Sequence, residues 1–179
     1  MLKSIIKWGL IVGAVMTIVM YVPQLLLFDN IADSYALAEM VGYIGMIASL
    51  LIIILAINAH FKNAGPEVSL WSRILLGLGV TFIAGVIFGL TNIVYTFWIN
   101  PEFMDQYYNQ MVADITAQGG NDVEAKIAEL EAQREMFVTP QMIFMVMAAT
   151  VWMIGIVVSV LAGIGHWVMS RRGGAPASV

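Results

Sequence analysis

The sequence predicts an all-α membrane protein with four transmembrane helices and an extracytoplasmic amphipathic helical hairpin between the third and the fourth. The chain of 179 residues is 60% hydrophobic and only 11% charged, whereas soluble domains are roughly 45 to 50% apolar and about 25% charged. Its apolar residues fall into four runs of membrane-spanning length. The one long hydrophilic stretch lies between the third and fourth runs.

The third apolar run is the clearest of the four. It holds no charged residue from Ile74 through Pro101, and at about 1.5 Å of rise per residue it exceeds the roughly 30 Å hydrocarbon core of a bilayer. Aromatic residues from Tyr95 to Trp98 close the run, and such residues concentrate at membrane-water boundaries. Asn100 and Pro101 follow, and we expect them to cap and begin the next helix.

The four runs form a single domain, residues 1–172, followed by a tail at 173–179 that we expect to be mobile. We predict a polar connection at 29–38, with Glu39 capping the second span, and a turn at 62–73 that contains Gly65-Pro66. The basic start of the chain also fits a signal peptide, but the apolar run after it has the length of a bilayer span. The predicted spans are about 5–28, 39–61, 72–99 and 140–170.

Small residues recur at three- and four-residue spacing in three of the predicted spans. This spacing places them on one helix face, where they let two backbones approach closely. A GxxxG motif can pack helices within one chain or pair two chains, and we expect the former here. The small-residue positions are Gly42, Gly45 and Ser49, then the GxxxG of Gly85 and Gly89, and then Gly155, Ser159 and Gly163.

The hydrophilic region, residues 101–139, has the pattern of two amphipathic helices. The first carries Phe103, Tyr107, Met111 and Ile115 on one face and stops at Gly119-Gly120. Asn121 and Glu124 resemble a capping box for the second helix, where Asp122 and Lys126 form a favourable pair. Three placements stay open for this hairpin: folded on itself, capping the spans, or lying among lipid headgroups. The residues that we expect on the inner face of the second helix are Val123, Ile127, Leu130, Arg134 and Phe137.

Charge is sorted by side of the membrane. Six of the eight basic residues fall on one side of a four-span arrangement, together with both termini, whereas eleven of the twelve acidic residues fall on the hairpin side. Cytoplasmic loops of membrane proteins carry an excess of lysine and arginine. We therefore predict that both termini are cytoplasmic and the hairpin is outside. The six basic residues are Lys3, Lys7, Lys62, Arg73, Arg171 and Arg172.

The junction from Tyr95 to Phe103, reading YTFWINPEF, resembles a family of bacterial membrane proteins filed as domain of unknown function 4199. The likeness extends over nearly the whole chain, including the segments before the third span (Gly65 to Leu70) and before the fourth (Met136 to Pro140). It implies a four-span protein of the bacterial inner membrane. It implies no activity and transfers no catalytic residue.

No constellation of residues points to catalysis, a metal or a cofactor. The runs 8–28, 40–61, 74–101 and 136–170 contain no Asp, Glu, Lys or Arg, which argues against a proton- or sodium-coupled carrier that works as a monomer. The chain has no cysteine, and His60 and His166 alone make a poor metal site, so we expect no metal ligands. The 13 methionines fit packing better than Cu(I) binding. No basic cluster suits nucleic acid.

Two functions fit this pattern. The leading interpretation is a non-enzymatic accessory or scaffold protein, whose hairpin meets a membrane-protein partner or a second copy through Phe103, Tyr107, Met111 and Ile115. The alternative is a small oligomeric channel or facilitator. Its polar pore positions, or else polar contacts between helices, would be Asn58, Asn92 and Thr96. A lipid-modifying enzyme has the least support.

Overall fold

A computed structural model describes residues 1–27, 31–63, 67–120 and 122–172, with only the backbone given for 24–27, 31–38, 135–137 and 172. Within these ranges the chain is all helical, with no strand. The predictions for Gly65-Pro66, Asn121 and the tail at 173–179 lie outside the described residues, as does the side chain of Phe137.

Seven α-helices follow one another along the described chain, and the fourth ends in a wider π-helical turn at Tyr95–Ile99. Four apolar segments are long enough to cross a membrane: Leu2–Pro23, Glu39–His60, Leu70–Ile99 and Pro140–Arg171. The predicted all-α chain with four segments apolar and long enough to span a membrane is thus confirmed for the described residues. The helices are α1 (Leu2–Leu27), α2 (Ile31–Leu50), α3 (Ile52–His60), α4 (Leu70–Val94), α5 (Phe103–Gln118), α6 (Val123–Phe137) and α7 (Pro140–Arg172).

The polar connection predicted at 29–38 is helical from Ile31 onward, because α2 begins there. Its alanines and leucine are good helix formers, so the polar residues among them do not interrupt the helix. Glu39 therefore lies two turns inside α2 and does not cap it. The second span is instead divided at Leu51, just after the Ser49 hydroxyl donates to the Gly45 carbonyl at 2.7 Å. Such back-bonding often bends helices.

Helix α4 lies at the centre and packs mainly against α7 and α1. The α4–α7 contact is the small-residue seam that the sequence predicts. A Cβ atom added to Gly89 would lie 2.7 Å from the Phe144 ring, and one added to Gly163 would lie 2.7 Å from Ile74. The GxxxG motif therefore packs two helices of the same chain, as expected.

A second seam joins α1 to α4 and α2. A Cβ atom on Gly13 of α1 would lie 2.7 Å from Ile87 of α4. On α2, a Cβ atom on Gly45 would lie 2.6 Å from Val19, so this glycine also serves close helix packing, as its spacing predicts.

Thr81 makes the main polar contact inside the α4–α7 seam. Its hydroxyl lies 3.1 Å from the Ser159 hydroxyl and donates to the Gly155 carbonyl at 3.3 Å, with both side chains buried. Hydrogen bonds between membrane helices contribute on average about 0.6 kcal/mol. We expect Thr81→Val to lower the free energy of unfolding by about that amount in detergent.

The matched control is Thr116→Val. Thr116 is exposed on α5, and its hydroxyl donates to the Val112 carbonyl of the same helix. A smaller change is expected there. If Thr116→Val destabilised the protein as much as Thr81→Val, the contact between helices would not be the cause.

The two ends of the bundle differ in charge. Ser4 Oγ and His60 Nδ1 lie 2.8 Å apart, and Arg73 Nη1 donates to Ser170 Oγ at 2.9 Å, so the starts of α1 and α4 meet the ends of α3 and α7. We call this the basic end, and the opposite one the hairpin end. Arg73, expected in a turn, is instead inside α4 and buried, with its guanidinium over the Phe61 ring.

Candidate functional site

A cavity of about 490 Å³ lies at the hairpin end, between the spans and the hairpin. Helices α2, α4 and α7 form its walls, the end of α1 contributes Met20 and Tyr21, and α5 and α6 form its roof. A volume in this range suits a small organic ligand.

The wall of the cavity is mainly apolar and rich in methionine. An unbranched thioether side chain fills irregular space and adapts to ligands of different shape. The lining is therefore suited to a flexible apolar body rather than to one rigid molecule. The lining methionines are Met20, Met46, Met104, Met111, Met142 and Met147.

Few polar groups reach the inner wall, and all of them are uncharged. The Asn92 amide nitrogen donates to the Phe88 carbonyl of its own helix at 2.9 Å, and Thr96 is also buried. The Tyr21 ring stacks on Tyr95 with centroids 4.5 Å apart. Among the described residues, the buried Tyr21 hydroxyl has no hydrogen-bond partner. The oxygen itself is enclosed by packing and has almost no accessible surface.

The rim lies between α2 and α7. Tyr43 of α2 and Val146 of α7 line the cavity and are 48% and 41% exposed, respectively. Both belong to spans, Tyr43 four residues after Glu39 and Val146 six residues after Pro140. The cavity lining therefore reaches the outer surface of the bundle at Tyr43 and Val146, on segments of membrane-spanning length.

The two hairpin helices are held together by Arg134 of α6. Its guanidinium pairs with the Asp105 carboxylate of α5 and lies 4.6 Å above the Tyr108 ring. Burial and the neighbouring Glu131 carboxylate raise the pKa of Tyr108. Arg134 also lines the cavity, which places this contact at the edge of the roof.

Comparison with protein families identifies the chain. A family model described as "Protein of unknown function (DUF4199)" matches residues 7–165. The chain belongs to the DUF4199 family. No curated protein and no solved structure matches the chain. The DUF4199 match confirms the resemblance seen at the Tyr95–Phe103 junction. It spans every residue that lines the cavity, from Met20 to Thr150.

The hairpin of this DUF4199 protein turns its predicted binding face inward. Phe103, Tyr107 and Met111 line the cavity, and the Phe103 ring lies edge-on to Tyr95 with centroids 5.6 Å apart. Ile115 lies farther along α5, outside the lining. The hairpin combines two of the placements left open by the sequence: it folds on itself through Arg134 and Asp105, and it packs over the ends of the spans.

Asn100 does not cap α5 with its side chain. That helix begins only at Phe103, after a turn at Pro101-Glu102, and the Asn100 amide donates to the Tyr95 hydroxyl at 3.4 Å. The predicted Asp122–Lys126 pair is present at 2.9 Å. Hydrogen bonding to Lys126 lowers the pKa of Asp122.

The predicted polar positions do not gather at one place. Asn92 and Thr96 line the cavity, but Asn58 is exposed on α3 toward the basic end. His60 and His166 share that end and both contact the Phe61 ring, at centroid distances of 4.7 and 6.1 Å. No group of three potential metal ligands occurs among the described residues.

Sequence reasoning missed Tyr21. An aromatic residue near the end of a span is typical of membrane boundaries, and that signal alone says nothing about a buried hydroxyl. Its role depends on Tyr95, which lies far along the chain.

Proposed function

We propose that this DUF4199 protein is a non-enzymatic accessory component of the bacterial inner membrane that holds a lipid-like amphiphile between its spans and its hairpin. The exposure of Tyr43 and Val146, two lining residues on the apolar spans, carries the proposal. A molecule dissolved in the membrane can enter there without passing through water.

The lining supports an amphiphile over a fully apolar or a fully polar ligand. The inner wall is methionine-rich and aromatic, whereas Glu39 and Arg134 stand at the edge toward the hairpin. An apolar body would lie among the methionines, and polar atoms of the ligand would meet the few hydrogen-bonding groups. This pattern, an apolar site with few polar groups that set orientation, is common in ligand pockets.

The arrangement of the protein in the membrane follows from charge. The basic end gathers Lys3, Lys7, Lys62 and Arg73, and the hairpin end is acidic. By the positive-inside tendency, both termini are cytoplasmic and the cavity faces the outer leaflet. A membrane-protein partner or a second copy would then meet the polar outer surface of the hairpin, because the apolar face of α5 lines the cavity.

The channel alternative has less support. Its three polar positions divide between the two ends, with Asn58 toward the basic end. Between them, fully buried apolar side chains fill the bundle. These side chains include Val12, Leu50, Ile53, Val80, Ala84 and Val151.

The test is ligand retention by variants at the opening. Val146→Trp places a large side chain at the rim, and because Val146 is 41% exposed the fold can accept it. We expect the wild-type protein to retain a lipid-like molecule after detergent purification, measured by native mass spectrometry. Val146→Trp should reduce the bound fraction by about tenfold, which corresponds to about 1.4 kcal/mol.

The matched control is Val157→Trp. Val157 lies about three turns farther along the same face of α7, is 57% exposed, and does not line the cavity. Its variant should retain ligand like the wild type. The proposal fails if the wild-type protein retains no such molecule, or if both variants lose it equally.

A further inference from the structure

One face of α2 runs along the cavity from its polar edge to its apolar interior. Glu39, Tyr43 and Met46 are about one helical turn apart, so they share this face, and all three line the cavity. At about 1.5 Å of rise per residue, the positions of Glu39 and Met46 are about 10 Å apart along the helix. An amphiphile that lies along this face therefore has its head at Glu39 and its apolar chain toward Met46.

Glu39 is the charge that the lining itself leaves unneutralised. The described lining of the cavity contains two charged residues, Glu39 and Arg134. The Arg134 guanidinium pairs with the Asp105 carboxylate of the hairpin, whereas Glu39 forms no ion pair among the described residues. The carboxylate of Glu39, which is exposed at the edge, is thus the group that a charged head would meet.

The surroundings of this edge are also negative. A recess beside the cavity shares Arg134 and Val138 with it and adds Asp105 and Glu131. Two carboxylates against one guanidinium leave the recess with a negative charge, the same sign as that of Glu39. An anionic head group would be repelled here, and an ammonium group would be attracted.

Tyrosine rings line the same cavity. They are Tyr43 of α2 and Tyr107 and Tyr108 of α5. The face of a tyrosine ring attracts an ammonium or guanidinium group. The Tyr108 ring already carries the Arg134 guanidinium 4.6 Å from its centre, so one ring of this set holds a cation in the folded protein.

We propose that the amphiphile held in this cavity is cationic, with an alkyl chain that lies toward Met46 and an ammonium head that pairs with Glu39. This inference rests on the proposed function, since it names the ligand class of the same cavity. Glu39 is then the specificity-determining residue, because its carboxylate selects the sign of the head group.

The test uses three probes with the same oleyl chain: oleylamine, oleyl alcohol and oleyl phosphate, whose heads are cationic, neutral and anionic. Native mass spectrometry of the full-length protein in an uncharged maltoside detergent gives the dissociation constant of each. Every variant is compared with the wild type for one probe at a time, so that partition of the probe into micelles cancels.

We expect Glu39→Gln to weaken oleylamine binding about fivefold, the upper value for an exposed ion pair. Oleyl alcohol should bind this variant like the wild type, because its head carries no charge. Glu39→Lys should reverse the preference of the cavity, since it weakens oleylamine further and strengthens oleyl phosphate.

The matched control is Glu124→Gln on α6. Glu124 is exposed and does not line the cavity, and its substitution removes the same charge from the hairpin end. All three probes should bind this variant like the wild type. Thermal unfolding verifies that each variant is folded, which the exposure of Glu39 and Glu124 leads us to expect.

The outcomes separate the two proposals. If oleyl alcohol binds but Glu39→Gln does not weaken oleylamine, or weakens both probes equally, the cavity remains a lipid site and its cationic preference is wrong. If Glu124→Gln weakens oleylamine as much as Glu39→Gln does, the attraction comes from the acidic surface as a whole and this inference is wrong. If none of the three probes binds, the proposed function and this inference both fail.

Discussion

Gly89→Leu is expected to lower the free energy of unfolding by about 3 kcal/mol, an upper value for overpacking. A Cβ atom at this position would lie 2.7 Å from the Phe144 ring and 3.0 Å from the Phe144 carbonyl oxygen. The ring can move, but the carbonyl belongs to the backbone of α7, so α4 and α7 have to separate. Because α4 packs on both α7 and α1, the strain spreads through the bundle.

The measurement is thermal unfolding in detergent, with the monodisperse fraction as a second readout. The control is Gly165→Leu on α7, because an added Cβ atom at Gly165 meets nothing within 4 Å. That variant should unfold like the wild type. Equal stability of the Gly89 and Gly165 variants would show that the α4–α7 contact is looser than the structure has it.

The second large effect is an all-or-none labelling pattern. The chain has no cysteine, so a single introduced thiol reports one position. Gln118→Cys places it at the exposed end of α5, and Asn63→Cys places it just after α3 at the basic end. In intact spheroplasts, a membrane-impermeant maleimide should label the first fully and the second only after permeabilisation, because basic residues favour the cytoplasmic side.

Gln118 is preferred over its neighbours because Gly119 and Gly120 have φ angles of 64° and 114°, which a cysteine would adopt only with strain. Full labelling of Asn63→Cys in intact spheroplasts, together with protection of Gln118→Cys, would reverse the orientation. The cavity would then face the inner leaflet. Either pattern is read from the same gel shift.

The parts of the fold that could be predicted from sequence depend on local properties. The charge-free run from Ile74 to Pro101 is long enough to cross a bilayer, and this can be judged without knowing the rest of the fold. Likewise, the three- and four-residue spacing of small residues places Gly155 and Gly163 on one face before any partner is known. The seam with α4 then follows, since α4 carries the matching stripe.

The parts that could not be predicted depend on distant contacts or on balanced local preferences. Residues 31–38 mix helix formers with Asp33 and Ser34, and the helix continues through them. The cavity exists only because the hairpin folds back over the spans. The importance of Tyr21 arises from its stack with Tyr95, a residue with which it shares no local pattern. Asn58 and Asn92 look alike in sequence yet lie toward opposite ends.

The π-helical turn at Tyr95–Ile99 determines the direction in which the chain leaves α4 and enters α5. In this turn the backbone N–H of Asn100 donates to the Tyr95 carbonyl, five residues earlier, at 2.8 Å. Such a turn adds one residue to the α-helical path, which advances the phase of the following chain by about 100°. Deleting one residue from Tyr95–Ile99 would restore α-helical geometry there. It would also rotate α5 so that Phe103 no longer contacts Tyr95. The position of the hairpin that roofs the cavity thus depends on one inserted residue.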